Sequence, residues 1–192
     1  MRLSFTRLFA ILAAVVLIGT GSVFAASPAS APAEDRSATY LSGRASTLLA
    51  EIQSEGIGLR LNAETLGTLT RNPRHSWQSH AFYLDRVKGH INAVGERIAE
   101  LRQIRNSVLP WQQQAIREVT SHAAQVAAST QAALVHLGEN QNRLFAPEYR
   151  KHLATIADRS GDMKQSVDKF LDYQRTQQKF QQLQRELELT GD

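Results

Sequence analysis

Six histidines are the side chains of this 192-residue sequence that are best suited to bind a metal ion. Imidazole binds zinc, copper and nickel, and neighbouring carboxylates can complete such a site. If the chain folds into helical hairpins, His80, His136 and His152 fall near one end of the fold, together with Glu139. Their spacing matches no diagnostic metal motif. The favoured interpretation is that they are ordinary histidines at a solvated bundle end, and His80, His136 and His152 are the candidate ligands of a metal-binding alternative.

Other site chemistries have little support in the sequence. Cysteine is absent, which excludes disulfide bonds, thiolate metal sites and cysteine catalysis. The chain contains no Glu-x-x-His or His-Glu-x-x-His pattern, no Gly-x-Ser-x-Gly motif and no phosphate-binding loop. Met163 is expected to face Ser129 rather than a histidine, which argues against haem ligation. We therefore expect no enzymatic activity and no cofactor.

The elements that would position these residues are marked by proline. Pro73, Pro110 and Pro147 are each 37 residues apart. Because proline is tolerated in the first turn of a helix and disfavoured in its interior, the equal spacing predicts helices of matched length. A 37-residue unit is also close to the period of helical repeat proteins, but the units share no repeated side-chain signature.

Apolar residues in the two middle segments follow a heptad pattern, with alternating steps of three and four residues. The a and d positions of the second helix are Trp77, His80, Leu84, Val87, Ile91, Val94, Ile98, Leu101, Arg105 and Val108. Those of the third helix are Ile116, Val119, Ala123, Val126, Thr130, Ala133, Leu137, Asn140 and Leu144. A heptad pattern held this long predicts coiled-coil-like packing between helices.

The first and fourth helices are less regular. The first repeats apolar residues every seven positions, but Gly56 and Gly58 interrupt its middle, which indicates either a kink or a close helix–helix contact. In the fourth helix the apolar pattern shifts after Phe170 and continues at Tyr173, Phe180, Leu183 and Leu187 among many glutamines. With helices of matched length the bundle should end near residue 184, so a slight protrusion of this helix could form a weak contact site.

Together these patterns predict an all-α fold, an elongated antiparallel up-down-up-down four-helix bundle. The expected helices cover about 36–70, 74–108, 110–145 and 147–189. Short connections between long helices make sequential neighbours antiparallel. The alternative is a bent continuous helix through Leu109 and Pro110, which would give an extended rod or a dimer.

The N-terminus has the composition of a secretory signal peptide over residues 1–25. Arg2 and Arg7 precede a short apolar run, and Val23-Phe24-Ala25 supplies the small residues of a cleavage site. We expect cleavage after Ala25, with Ala26 as the alternative. The alternative to cleavage is a membrane anchor, because the apolar stretch is just long enough to span a bilayer. Residues 26–35, rich in small residues and proline, are expected to form a flexible leader.

The formal net charge of +4 does not indicate a nucleic-acid partner. Removal of Arg2 and Arg7 with the signal peptide lowers it to +2, because all acidic residues follow Ala25. The remaining basic residues form no compact patch of the kind that binds phosphate backbones.

The resulting expectation is a periplasmic or secreted bundle that acts by protein contact, by self-association, or as a structural or adaptor element of the cell envelope. A metal-binding bundle is one alternative. A membrane-tethered, sensor-like domain is the other, and it requires an uncleaved N-terminal segment.

Overall fold

The computed structural model describes residues 31–71 and 76–189. Within these ranges the chain forms four helices and no strand. They are α1 (Ala31–Leu69), α2 (Trp77–Ile104), α3 (Pro110–Glu139) and α4 (Pro147–Leu189), and a 3₁₀ turn, Arg105–Ser107, follows α2. The helices pack as a four-helix bundle, which confirms the predicted fold class. The predicted signal peptide lies outside the described residues.

The four helices follow one another around the bundle axis. α1 packs laterally against α2 and α4, and α3 packs against the same two helices, so α1 and α3 are diagonal to each other. The α2–α3 interface is the smallest of the four lateral interfaces. This cyclic order is typical of an up-down-up-down bundle with short connections. Val108 and Leu109 are extended, so the chain turns before Pro110, and the alternative of a bent continuous helix is wrong.

The core consists of the predicted a and d residues. Those buried in α2 are His80, Leu84, Val87, Ile91, Val94, Ile98 and Leu101. Those buried in α3 include Ile116, Val119, Ala123, Val126, Thr130, Ala133 and Leu137. The exceptions lie near the ends of the pattern: Trp77 is 39% exposed and Arg105 is exposed, whereas the last positions, Val108 and Leu144, are buried. The heptad pattern thus predicts burial throughout the interior of these helices and less consistently at their ends.

Several helix ends differ from the sequence expectation. α2 covers Trp77–Ile104 rather than about 74–108. α3 ends at Glu139 rather than near 145, because Asn140 leaves the helical conformation with φ −131° and ψ 47°. The following loop still buries Leu144 against the core. At the other end of the chain, α1 begins at Ala31, so residues 31–35 of the predicted leader are helical.

Across residues 31–71 and 76–189, none of the helices combines the length and the apolar character that crossing a membrane requires.

Candidate functional site

Three aromatic rings meet at the end of the bundle where the histidines were expected. His80 lies near the start of α2, His136 in the last turn of α3 and Tyr149 in the first turn of α4. Nδ1 of His80 is 3.1 Å from the hydroxyl oxygen of Tyr149. The ring of His136 stacks on Tyr149, with 5.0 Å between centroids and an interplanar angle of 20°. The fold thus brings two of the three predicted ligands onto one tyrosine.

The polar atoms of this cluster hold the helices together. His80 is 1% exposed and Tyr149 is fully buried, so their hydrogen bond is shielded from water. Burial raises the pKa of Tyr149, and its hydroxyl therefore stays protonated at neutral pH. Nε2 of His136 lies 3.2 Å from the carbonyl oxygen of Arg143. Because a carbonyl can only accept, this nitrogen donates and ties the end of α3 to its following loop.

The third predicted ligand, His152, is half-buried on α4 shortly after Tyr149. Among the residues that the structure describes, no group of three or more histidine, aspartate or glutamate side chains is arranged to hold a metal ion. A metal site at His80, His136 and His152 stays a prediction. The described contacts of His80 and His136 are those of a structural polar cluster.

The interface between α1 and α2 contains a second histidine site, which the sequence analysis did not single out. Nδ1 of His90 is 2.6 Å from a carboxylate oxygen of Glu55, and its ring lies against Gly58. Arg97 donates to Glu51 at 3.0 Å. Each pair joins a residue of α1 to a residue of α2, so the sequence of one helix taken by itself does not predict it. The antiparallel register of α1 and α2 was the signal that could have revealed them.

Gln112, in the first turn of α3, makes a polar link between the diagonal helices. Its side chain is fully buried, and its Nε2 donates to the carbonyl oxygen of Ser42 at 2.7 Å and to Oγ of Ser46 at 3.1 Å. Its Oε1 accepts the backbone N–H of Leu109 at 3.1 Å. The amide therefore fixes the start of α3 against α1.

The same end of the bundle is closed by an aromatic group. Trp111 stacks on Phe170 with 6.4 Å between centroids, and Tyr173 meets Trp111 edge-on at 5.8 Å. Trp111 is half-buried and covers the core at this end. Phe170 and Leu171 are the last apolar residues of α4 that pack on the core.

Beyond this closure α4 continues as an exposed helix, and residues 172–188 are called the α4 extension here. Its large apolar side chains are solvent-exposed: Tyr173 is 46% exposed, Phe180 57%, Leu183 47% and Leu187 72%. Core packing along α4 reaches Leu171, and the helix itself continues to Leu189. The α4 extension is about 25 Å long. The predicted slight protrusion beyond residue 184 stays a prediction.

The α4 extension carries charges of both signs along its whole length. Its charged residues are Asp172, Arg175, Lys179, Arg185, Glu186 and Glu188. Contacts within the helix involve some of them: Arg175 pairs with Asp172 at 3.2 Å, and Gln182 donates to Oε1 of Glu186 at 2.8 Å. The extension is therefore a charged, glutamine-rich helix with a thin apolar stripe.

No protein-family model, no curated protein and no solved structure matches this chain.

Proposed function

We propose that this chain is an exported, non-enzymatic helical-bundle protein that acts by protein–protein contact through the α4 extension. The observation that carries the proposal is the exposure of Phe180 and Leu183 on the part of α4 that follows its last core residues. Moving a large apolar side chain from water into an interface is favourable by about 1.5–3 kcal/mol. A partner that covers this stripe would therefore gain binding free energy.

The rest of the bundle serves to hold this helix. The buried bond between His80 and Tyr149 joins α2 to α4, and the bonds of Gln112 join α3 to α1. Trp111 then packs on Phe170, just before the extension, and on Tyr173, at its start. A rigid bundle that presents an exposed apolar helix surface resembles an adaptor in its mechanics, because the partner binds to a preorganised element.

The exported location is part of the same proposal and is supported by the sequence of residues 1–25. It is tested by the intact mass of the protein recovered from the envelope fraction. We expect a mature chain that begins at Ala26. A chain that keeps residues 1–25 and sediments with membranes would instead support the tethered, sensor-like alternative.

Contact through the α4 extension is tested by site-specific photo-crosslinking in the producing cell. A photoreactive residue replaces Phe180 in one variant and Gln125, which is exposed on α3, in a matched control. We expect discrete crosslinked products at position 180 and none at position 125. Absence of products at position 180, or the same products at both positions, would contradict the proposal.

A further inference from the structure

The core of the bundle is least covered along one side. The buried apolar core residues of α1 and α4 are at most 1% exposed. Ile91 and Ile98 of α2 and Ala123 and Leu137 of α3 are 6–8% exposed, and all four occupy heptad position a. The apolar d residues of the same two helices are fully buried. Water therefore reaches the core past the a residues of α2 and α3.

Position a faces the boundary between α2 and α3. On α2, the g residue His90 pairs with Glu55, so the g edge is the side of α1. On α3, the g residue His136 stacks on Tyr149, so the g edge is the side of α4. Positions e and b lie beside a on the opposite edge of each helix, which in both cases is the edge where α2 and α3 meet. This boundary is also the smallest lateral interface of the bundle.

The b and e residues of α2 and α3 form a surface that we name the α2–α3 groove. Its middle is lined by the small exposed residues Gly95 and Ala99 of α2 and Ala124 and Ala127 of α3. A Cβ added at Gly95 would have nothing within 4 Å, so there is open space above the helix at this point. From Ala81 to Arg102 the groove is about 30 Å long, which is the length of a helix of about 20 residues. The groove therefore has the dimensions to receive one further helix.

The α2–α3 groove is basic at one end. Arg102 at position e and Arg117 at position b are both exposed, near the connection that joins α2 to α3. In the part of the chain that the structure describes, neither arginine forms an ion pair. Asp85, toward the other end, is the only acid at the b and e positions of the two helices. A second copy of this groove offers that single carboxylate, so the charges favour a different, acidic occupant.

We propose that the α2–α3 groove binds an acidic amphipathic helix of another protein. Recognition of this kind lays the apolar face of a helix into a groove between helices. Large apolar side chains of the incoming helix pack over Gly95 and Ala127, and its carboxylates pair with Arg102 and Arg117 at the basic end. The groove contains no residue of α4, so this inference goes beyond the proposed function and does not rest on it.

Photo-crosslinking in the producing cell tests the occupant of the groove. A photoreactive residue replaces Ala127 in one variant and Gln125, which is exposed on the outer face of α3, in the control. We expect discrete products at position 127 and none at position 125, and mass spectrometry should show that the attached peptide is rich in carboxylates and comes from another protein. No product at position 127, a product without attached protein, or a peptide from this chain would overturn the inference.

Filling the groove provides a matched steric test. Gly95→Leu places a large side chain in the open space, and we expect it to lower the yield at position 127 roughly tenfold because the incoming helix would clash with it. Gly89→Leu is the control, since it lies on the same helix, also with nothing within 4 Å, but at the outward position f. Equal yields in the two variants would contradict the docking site.

Charge reversal tests the acidic character of the partner. The double variant Arg102→Glu, Arg117→Glu should lower the yield at position 127 roughly tenfold, because it places like charges opposite the carboxylates of the incoming helix. The double variant Lys151→Glu, Lys169→Glu changes two exposed residues of α4 and should leave the yield unchanged. Circular dichroism shows whether each variant is folded. An unchanged yield in the folded arginine variant would overturn the assignment of an acidic helix.

Discussion

The imidazole of His90 on α2 occupies the space that a Cβ atom of residue 58 on α1 would need. A Cβ built at Gly58 would lie 2.5 Å from Cε1 and 2.7 Å from Nε2 of this ring. The ring cannot move away freely, because its Nδ1 is bonded to Glu55 at 2.6 Å. The glycine is therefore required by a close contact between two helices, which is one of the two alternatives that the sequence left open.

Replacement of this glycine should destabilise the bundle. For Gly58→Ala we expect a loss of up to about 2 kcal/mol in the free energy of unfolding, because overpacking costs about 1–3 kcal/mol and the helix-propensity gain offsets about 1 kcal/mol of it. Urea denaturation measures the difference. Gly43→Ala, in the same helix with nothing within 4 Å, is the matched control and should stabilise the protein. Equal stabilisation by both changes would disprove the contact.

The buried amide of Gln112 offers a second test. Gln112→Leu removes the bonds to Ser42, Ser46 and Leu109, and we expect it to lower the free energy of unfolding by about 1–3 kcal/mol. Gln114→Leu changes an exposed glutamine in the same turn and should shift stability by less than about 0.5 kcal/mol. Chemical denaturation of the two variants compares them directly. A neutral effect of Gln112→Leu would show that the diagonal link contributes nothing to the fold.

Tyr149 should make the bundle sensitive to alkaline pH. Burial raises its pKa above the ordinary value of 10.0, so the unfolded chain loses this proton at a lower pH than the folded one. The stability that it contributes is complete below pH 10 and declines as the pH rises further. Tyr149→Phe removes this dependence, and it lowers the free energy of unfolding by about 0.5–1.5 kcal/mol at neutral pH because the hydrogen bond to His80 at 3.1 Å is lost. Urea unfolding of the wild type and of Tyr149→Phe between pH 7 and about 11 measures both the pH dependence and the loss at neutral pH. Parallel pH profiles of wild type and variant would contradict the assignment.

Asp168 should make the bundle sensitive to acid pH, so that here stability falls as the pH is lowered. A hydrogen bond from Lys164 at 2.6 Å, supported by one from Gln53, lowers the pKa of this carboxyl below its ordinary 3.8. The contribution of Asp168 to the free energy of unfolding is complete above the ordinary pKa of 3.8. It is lost as the pH falls through the lower pKa of the folded state. The side chain is 34% exposed, so the contribution is less than about 1 kcal/mol. Asp168→Asn should flatten the stability profile between pH 2 and about 5.

The pKa of Asp168 can also be followed by NMR titration of its carboxyl carbon. Lys164→Gln removes the main cause of the shift and should move the pKa back toward 3.8. An unchanged titration in this variant would assign the shift to another group.

The sequence predicted the fold because the apolar spacing is strong and local. Leu84, Ile91 and Ile98 repeat every seven residues in α2, and all three are buried. Proline marks the starts of α3 and α4 correctly, at Pro110 and Pro147. Burial of such positions depends only on which face of a helix they occupy, and spacing alone determines that face.

The features that the sequence did not predict depend on register between helices. His90 has no motif on α2, and its contacts with Glu55 and Gly58 exist only once α1 is placed beside it. The burial of Gln112 follows from its position opposite Ser42, not from its residue type.

The length of the α4 extension depends on register as well. The end of α3 at Glu139 leaves a loop before Pro147, and Trp111 at the start of α3 then lies opposite Phe170 and Tyr173. Equal proline spacing could not reveal where this closure lies along α4.

The packing of α1 against α4 sets the order in which the chain can fold. The two helices lie at opposite ends of the sequence, yet Gly56 of α1 brings its backbone close to Met163 and Ser160 of α4. Contacts between distant segments form late, because a long loop must close before they contribute. A chain of which only α1, α2 and α3 have emerged lacks the surface that covers α1, so the cooperative structure is completed only when the last helix arrives.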